Sequence, residues 1–436
     1  MQRVLLLFPT AWDRKWLAKR GRGSADQFEL VPVEPSDEEC PAKLDVDDYV
    51  DRIAGEHRGR ADGVMSSSDY PGPVFVALVA RALGLRGTLP REAVRCSHKF
   101  YARAAQRAAA PHVTPRFELI DPRAPRAPSF GFPCFVKPVK GSFSRFARRV
   151  ANEDELRQHL LQPGVHEYLD GYLSIFNDVV ARYGEVEHDG HWFIAEEVLA
   201  GAQVTLEGTV VRGDVEVLGI VDTAIHGEHA SFARFDYPSR VPAPVQARMR
   251  DVAERVVRTL GLDATAFNVE FFYDAASDRI AIIEVNPRVC GQFGDLYAKV
   301  DGIHGYEVAL AAACGMRPEL RRRGGSYACA ASVPLRRFDD VRVARAPSDA
   351  DLRAAEALFP GTLVWNEVRE GQELGPLRAQ EDGVSVRYAV LDVGGESPED
   401  LERRIEVVRK RLDYRFVPSA RARDDSGAAS AELPAT

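Results

Sequence analysis

Cysteine is sparse and scattered in this sequence. Cys40, Cys96, Cys134, Cys290, Cys314 and Cys329 contain no Cys-x-x-Cys pair, so spacing offers no zinc or iron–sulfur site and the thiols read as small reduced hydrophobes. A Gly-x-Gly-x-x-Gly fingerprint is missing after the first apolar run, where FPTAWD stands instead, which disfavours an ordinary dinucleotide fold. GxxxxGK[ST] is also absent, which removes a Walker A loop. Positive charge is short: 57 Lys and Arg against 65 Asp and Glu leave a net charge of -8. No basic field is available to follow a nucleic-acid backbone, so general nucleic-acid binding is excluded. No apolar run reaches the length of a membrane span. The opening MQRVLLLFPTAWDRKW meets Asp13 early and has no small-residue cleavage site, so it reads as a first core strand and not a signal peptide; a cytoplasmic protein is expected.

What is present is ordinary for a globular chain. At 436 residues, 45% hydrophobic and 28% charged, it has length for two or three domains. The runs at 3–8, 29–33 and 61–65 read as strands, and VFVALVARALGL as a helix, which suggests a small α/β domain over the first hundred residues. Loops after such strands form the usual binding rim. Thr10, Asp13, Ser66 to Ser68 and Asp69 are candidates there, and they serve equally as turn and cap residues.

The most informative stretch is AFNVEFFYDAASDRIAIIEVNPRVCG, 266–291. Two apolar runs separated by a polar turn predict a β-hairpin with a several-residue loop. Pairing about the middle of that loop sets Glu284 opposite Glu270 and Asn286 opposite Asn268. Facing carboxylates destabilise a sheet unless something positive compensates them. An oxygen-only Glu270, Glu284 and Asn286 set suits Mg²⁺, which completes its shell with water and phosphates; Mn²⁺ is a possible substitute. Arg288, two residues further on, points the same way as Asn286 and could meet an anion beside the metal. Two unrelated glutamates on an exposed face are the competing reading. Cys290 lies beside this strand, but no base identifies it as a nucleophile.

Other segments suggest anion contacts. RCSHKFYARAAQRAAA, 95–110, is predicted as one helix ended by Pro111, with Lys99 near its start and Ser97 as a candidate cap. CFVKPVKGSFSRF reads as a strand running into a turn, where Lys137, Lys140, Ser142 and Ser144 form a reasonable grip for phosphates. A capped helix follows, with Asn152 as cap and Glu155 three residues on. WFIAEEVL is a strand ending at Glu196 and Glu197, and QVTLEGTVV with VEVLGIV is a hairpin of period two. The AEEVL stretch could hold a flat aromatic base, with Gln203 or Glu207 for a ribose hydroxyl. Residues 226–244 read as a long loop, a lid or a binding loop, in which His226, His229, Arg234 and Tyr237 are candidate substrate contacts or merely solvated. A helix of about four turns then buries Val252, Val256 and Leu260.

Taken in order, Lys99, the Lys137 strand and loop, AEEVLAG, NVEFFYD and IIEVNPR resemble the ATP-grasp superfamily, specifically its carboxylate-amine ligases, the amino-acid ligases among them. The resemblance covers roughly 3–315. It implies an α/β and α+β chain: an N-terminal Rossmann-like domain at 1–95, an ATP-grasp region at 96–315 with a lid at about 130–200, and a C-terminal α+β extension at 316–418 before a flexible tail at 419–436. It further implies ATP held by Lys99 and Lys137, adenine bordered by Glu196 and Glu197 with backbone groups of Val198 or Leu199, and Gln203 at the ribose. Mg²⁺ would sit on Glu270, Glu284 and Asn286, and Arg288 would face the transferred phosphoryl group. The implied reaction joins a carboxylic acid or amino acid to an amine through an acyl phosphate; carboxylation, carboxylate-thiol ligation and a catalytically silent ATP-binding protein are the alternatives. The lid turn has only Gly141 where the family commonly carries more glycine. Strand-like segments beyond 316 and a helix capped by Ser397 either cover the site mouth or form a homodimer surface.

Overall fold

In the computed structural model, which describes residues 1–19, 27–36, 38–142, 145–227 and 231–419, the first apolar run forms the middle of a three-stranded parallel sheet. Gln2–Leu7 lies between Phe28–Val33 and Gly63–Met65. A central parallel strand is covered on both faces, and so reads as continuous apolar sequence. Leu5 and Leu7 pack toward the Val46–His57 and Gly72–Leu83 helices, while Val4 and Leu6 meet the distant Gly305–Ala313 helix. The N-terminal sheet is thereby tied to the chain that follows the informative hairpin.

A four-stranded antiparallel sheet has the order Phe117–Ile120, Phe193–Glu197, Cys134–Pro138, Arg148–Val150. One face buries Cys134, Val136, Phe193 and Ala195 beneath the Glu153–Leu160 helix. Asn152 caps that helix by accepting from Glu155 N at 2.9 Å. Strand alternation leaves Lys137 and Glu196 on the opposite face.

The remaining chain is organised on one eight-stranded antiparallel sheet. Its order is Arg279–Asn286, Thr265–Asp274, Ala202–Val211, Asp214–Ile225, Phe232–Tyr237, Cys329–Arg337, Val386–Gly395, Leu363–Asn366. Ala243–Thr259 packs Met249, Val252, Val256 and Val257 onto Leu206, Phe267, Val269 and Ile282. Strands on either side of residue 316 therefore share one hydrogen-bonded sheet. Among the described residues no helix is long and apolar enough to cross a membrane. The architecture is mixed α/β and α+β.

Two local expectations are corrected. The 226–244 segment is not all loop: Phe232–Tyr237 is an inner strand pairing with Asp214–Ile225 and Cys329–Arg337. Its six residues, FARFDY, are hidden between a Gly/His/Ser run and a proline-rich run, so the alternation that buries Phe235 and Tyr237 is too short to stand out. The expected 95–110 helix is two, Pro90–Ser97 and Lys99–Ala109, broken at His98. The break follows from tertiary hydrogen bonds: His98 Nε2 meets Asp189 O at 2.9 Å, and Lys99 N donates to Val139 O at 2.7 Å. Ser97 ends the first helix and does not cap the second, and Lys99 becomes the second helix's first residue.

The first helix, Ala11–Lys19, docks on the C-terminal strands through aromatic and ionic contacts. Trp12 and Trp365 meet edge to face at 5.9 Å, Lys15 lies over both rings, and Glu367 pairs with Lys15 and Arg387. Trp365 Nε1 donates to the buried Asp392 at 2.6 Å. Trp365→Phe removes that donor while keeping most of the apolar contact. It should lower stability by about 1–3 kcal/mol, measured by urea denaturation.

Candidate active site

The hairpin has the expected pairing: Asn268 opposite Asn286 and Glu270 opposite Glu284. Beyond Glu284 the register slips, and Phe271 pairs with Ile282, leaving Ile283 as the extra residue of a β-bulge. Arg103 takes the carbonyls there, with Nη1 donating to Ile282 O at 2.9 Å and Nη2 to Ile283 O at 2.6 Å. The bulge and the Arg103 clamp together keep the two glutamates in register. Asn286 Nδ2 donates to Asn268 Oδ1 at 3.0 Å, Glu284 Oε1 at 3.3 Å and Glu270 Oε1 at 3.4 Å. Gln203, from the next strand, donates to Glu270 Oε2 at 3.0 Å.

Cations surround this pair. Lys99 reaches Glu284 at 3.3 Å and Gly141 O at 3.1 Å. Lys137 meets Glu196 at 2.9 Å, and Arg103 meets the same carboxylate at 2.6 Å. Lys140 donates to Asp69 O at 3.0 Å, Ser142 Oγ to Asp69 Oδ2 at 2.6 Å, and Arg288 Nε to Asp69 Oδ1 at 3.2 Å. Four separate parts of the chain thus converge: the loop after the third N-terminal strand, the Lys99–Ala109 helix, the Lys137 strand and turn, and the hairpin. Asp69, Lys99, Arg103, Lys140, Glu196, Glu284 and Asn286 line one crevice.

The electrostatics follow from burial. Desolvation and the charge of Glu284 push the Glu270 carboxyl up to about 8. Burial also opposes the charge of Glu284, but Lys99 and Lys137 outweigh it and hold that group low. For Glu196, Arg103 and Lys137 overcome desolvation and bring the carboxyl down to about 2. Burial pulls Lys137 and Lys140 down despite their carboxylate partners, whereas Glu284 and Asp69 leave Lys99 raised. Lys99, Arg103, Lys137, Lys140 and Arg288 face Asp69, Glu196, Glu270 and Glu284, so the cluster carries a slight positive excess even with every carboxylate ionised.

Other candidates have different surroundings. Glu197 lies at the strand end, paired with Arg116 at 3.1 Å and Arg279 at 2.6 Å, followed by exposed Val198 and half-buried Leu199. Glu207 is buried and accepts from Cys290 N at 2.8 Å. Burial pushes the Cys290 thiol up to about 12. Asp13 is buried and accepts from Thr10 N, Ser67 Oγ and Tyr306 OH, while Asp69 on the same rim reaches the site. Tyr237 OH bonds Asp301, Arg234 pairs with Asp236 and Glu402, and His226 meets the Phe338 ring. Ser144 and His229 lie outside the described residues. Arg103 and Gln106 were not singled out from the sequence, although Arg103 follows Lys99 by one helical turn and so shares its face.

Residues 130–295 match the family profile of the ATP-grasp domain. The chain is 30% identical over 314 residues to the uncharacterized protein y4rH of Sinorhizobium fredii (strain NBRC 101917 / NGR234), covering 68% of this chain and 58% of that one. It is 28% identical over 193 residues to the carbamoyl phosphate synthase large chain of Thermotoga sp. (strain RQ2), covering 43% of this chain and 15% of that one. The chain therefore spans less than two thirds of either relative. The fold is similar to that of an L-amino acid ligase from Bacillus licheniformis, with a TM-score of 0.67 and 16% identity over 96% of this chain and 99% of that one. Residues 130–295 of the chain thus carry an ATP-grasp domain.

Arg103→Ala should cost about 3–5 kcal/mol in urea denaturation, because it strips a buried carboxylate of one partner. The Glu196 carboxyl lies below its ordinary 4.5, so its ionised form stabilises the fold fully above that pH and progressively less as pH falls toward about 2. The stability gap between wild type and Glu196→Gln should accordingly narrow over that window.

Proposed function

We propose that the chain is an ATP-dependent ligase that joins a carboxylic acid or amino acid to an amine through an acyl phosphate, releasing ADP and phosphate. The observation that carries this reading is the facing Glu270 and Glu284 pair with Asn286, ringed by Lys99, Lys137, Lys140 and Arg288. The ATP-grasp domain at 130–295 and the likeness in fold to an amino-acid ligase support it. Six free cysteines fit a reducing compartment, and we place the reaction in the cytoplasm.

Among the described residues no group of three or more His, Cys, Asp or Glu side chains gathers to hold a metal. The two facing carboxylates nevertheless fit Mg²⁺, which keeps several water or phosphate ligands, and Asn286, whose amide nitrogen now meets both glutamates, would turn its oxygen to the ion. Burial first, and the neighbouring charge of Glu284 second, raise the Glu270 carboxyl, and a divalent cation held between the two glutamates would offset both. Mg²⁺ on Glu270, Glu284 and Asn286 would supply charge withdrawal from the phosphates of ATP.

This chain's own residues supply the rest. Lys99 and Lys137, with Lys140 and Ser142, bind and orient the phosphates, and Arg288 stabilises charge on the phosphoryl group as the acid's carboxylate oxygen attacks phosphorus. The amine then attacks the acyl carbon, and phosphate leaves. Arg288 is placed to stabilise the oxyanion of that step. Adenine falls to the Glu196–Leu199 strand end. We assign Gln203 to the carboxylate pair as well as to the nucleotide rim, because its amide meets Glu270.

The deciding experiment measures phosphate release from Mg-ATP with pooled acids and amino acids, with and without pooled amines, beside mass spectrometry of the products. Release that needs both pools and yields an amide supports ligation; release with bicarbonate and transfer of a carboxyl group would favour a carboxylase. Glu284→Gln should lower Mg²⁺-dependent turnover by at least about a hundredfold and weaken Mn²⁺ binding seen by electron paramagnetic resonance. Near-normal values for both would remove the metal assignment.

A further inference from the structure

The cations that the proposed reaction assigns to phosphate are held by a carboxylate of the protein itself. Asp69, from the N-terminal α/β part of the chain, accepts from Ser142 Oγ at 2.6 Å and Arg288 Nε at 3.2 Å. Lys140 donates to its backbone oxygen at 3.0 Å and stands 3.9 Å from its carboxylate. Lys99 is bonded to Gly141 O, one residue before Ser142. This carboxylate accepts from one hydroxyl and one guanidinium, with an ammonium 3.9 Å away, and these are the kinds of group that hold a phosphate oxygen.

Two consequences follow from charge and geometry. A phosphoryl group brought to Arg288, Lys140 and Ser142 meets the negative charge of Asp69 at close range in a poorly solvated crevice, where like charges repel strongly. Meanwhile Arg288 and the 140–142 turn, which follow strands of different sheets, share Asp69 as a common anchor. Arg288 leaves the hairpin just beyond Asn286 and Pro287 and has no ladder partner, so this ion pair fixes the direction of its guanidinium.

We propose that Asp69 is a positioning residue that acts as an internal counter-anion: it holds Arg288 and the Lys140–Ser142 turn in a common arrangement, and the terminal phosphate of ATP competes with it for the same donors. The proposal rests on the ATP-dependent ligase reading. It assigns the N-terminal part of the chain a role at the reacting phosphate, beyond forming the rim.

Competition gives Asp69→Asn a signature that general damage to the site does not. Loss of the charge should tighten binding of a non-hydrolysable MgATP analogue by about tenfold, with a smaller change for MgADP. Turnover in the phosphate-release assay should fall by about a hundredfold as Arg288 loses its anchor. Binding is measured by calorimetry on the full chain, with the melting temperature recorded beside it. Asp69→Ala, which also removes the charge, replaces Asp69→Asn if that variant does not fold. Asp69→Glu, which keeps the charge, should bind the analogue within about twofold of wild type.

Weaker analogue binding by both neutral variants, or equal changes for MgATP analogue and MgADP, overturns the proposal while leaving ATP use intact. A wild-type chain that binds neither nucleotide overturns the ligase reading and this proposal together.

Discussion

Two carboxylates facing each other across adjacent strands are the constraint around which the rest of this structure is arranged. Glu270 and Glu284 repel in a buried setting, and the hairpin alone offers only Asn286 between them. Lys99 must therefore arrive from a helix and Lys137 from another sheet before the register is tolerable. The helix break at His98, set by the hydrogen bonds of His98 to Asp189 and of Lys99 to Val139, meets this requirement. Starting a new helix at Lys99 aims its ammonium at Glu284 and lets its backbone hold the strand end at Val139.

Arg103 extends the same logic. It is buried, it neutralises Glu196, and it satisfies the carbonyls displaced by the bulge at Ile283. One side chain thus joins the four-stranded sheet, the helix and the hairpin. Buried ionic clusters of this kind are weak sources of stability, because desolvation offsets attraction. Their value here lies in orientation: low dielectric surroundings make each misplaced charge costly, so few arrangements of the three bodies are acceptable.

The C-terminal strands enter by continuing the central sheet rather than by forming a separate sheet beside it. Phe232–Tyr237 makes that continuity possible by accepting Cys329–Arg337 along its outer edge. The Trp12 and Trp365 contact then closes the chain back onto its first helix. The N-terminal part is consequently held from two directions, by the Gly305–Ala313 helix beneath its sheet and by the C-terminal strands beside it.

Local pattern alone determined the apolar first strand, the Asn152 and Ser397 caps, and the 266–291 hairpin with Glu270 set against Glu284. Each depends on contacts within a few residues or on the period of a strand, and both are written along the chain. FARFDY was too short and too closely flanked by breakers for its period to be read. The break at His98 depends on Asp189 and Val139, which no local pattern contains. The roles of Arg103 and Asp69 were likewise decided only in the folded molecule. Their partners lie 93 and 73 residues away, at Glu196 and Ser142, and further still at Arg288. Charge pairing across such separations carries no periodic signal; it exists only once three sheets have brought those side chains into the same small volume.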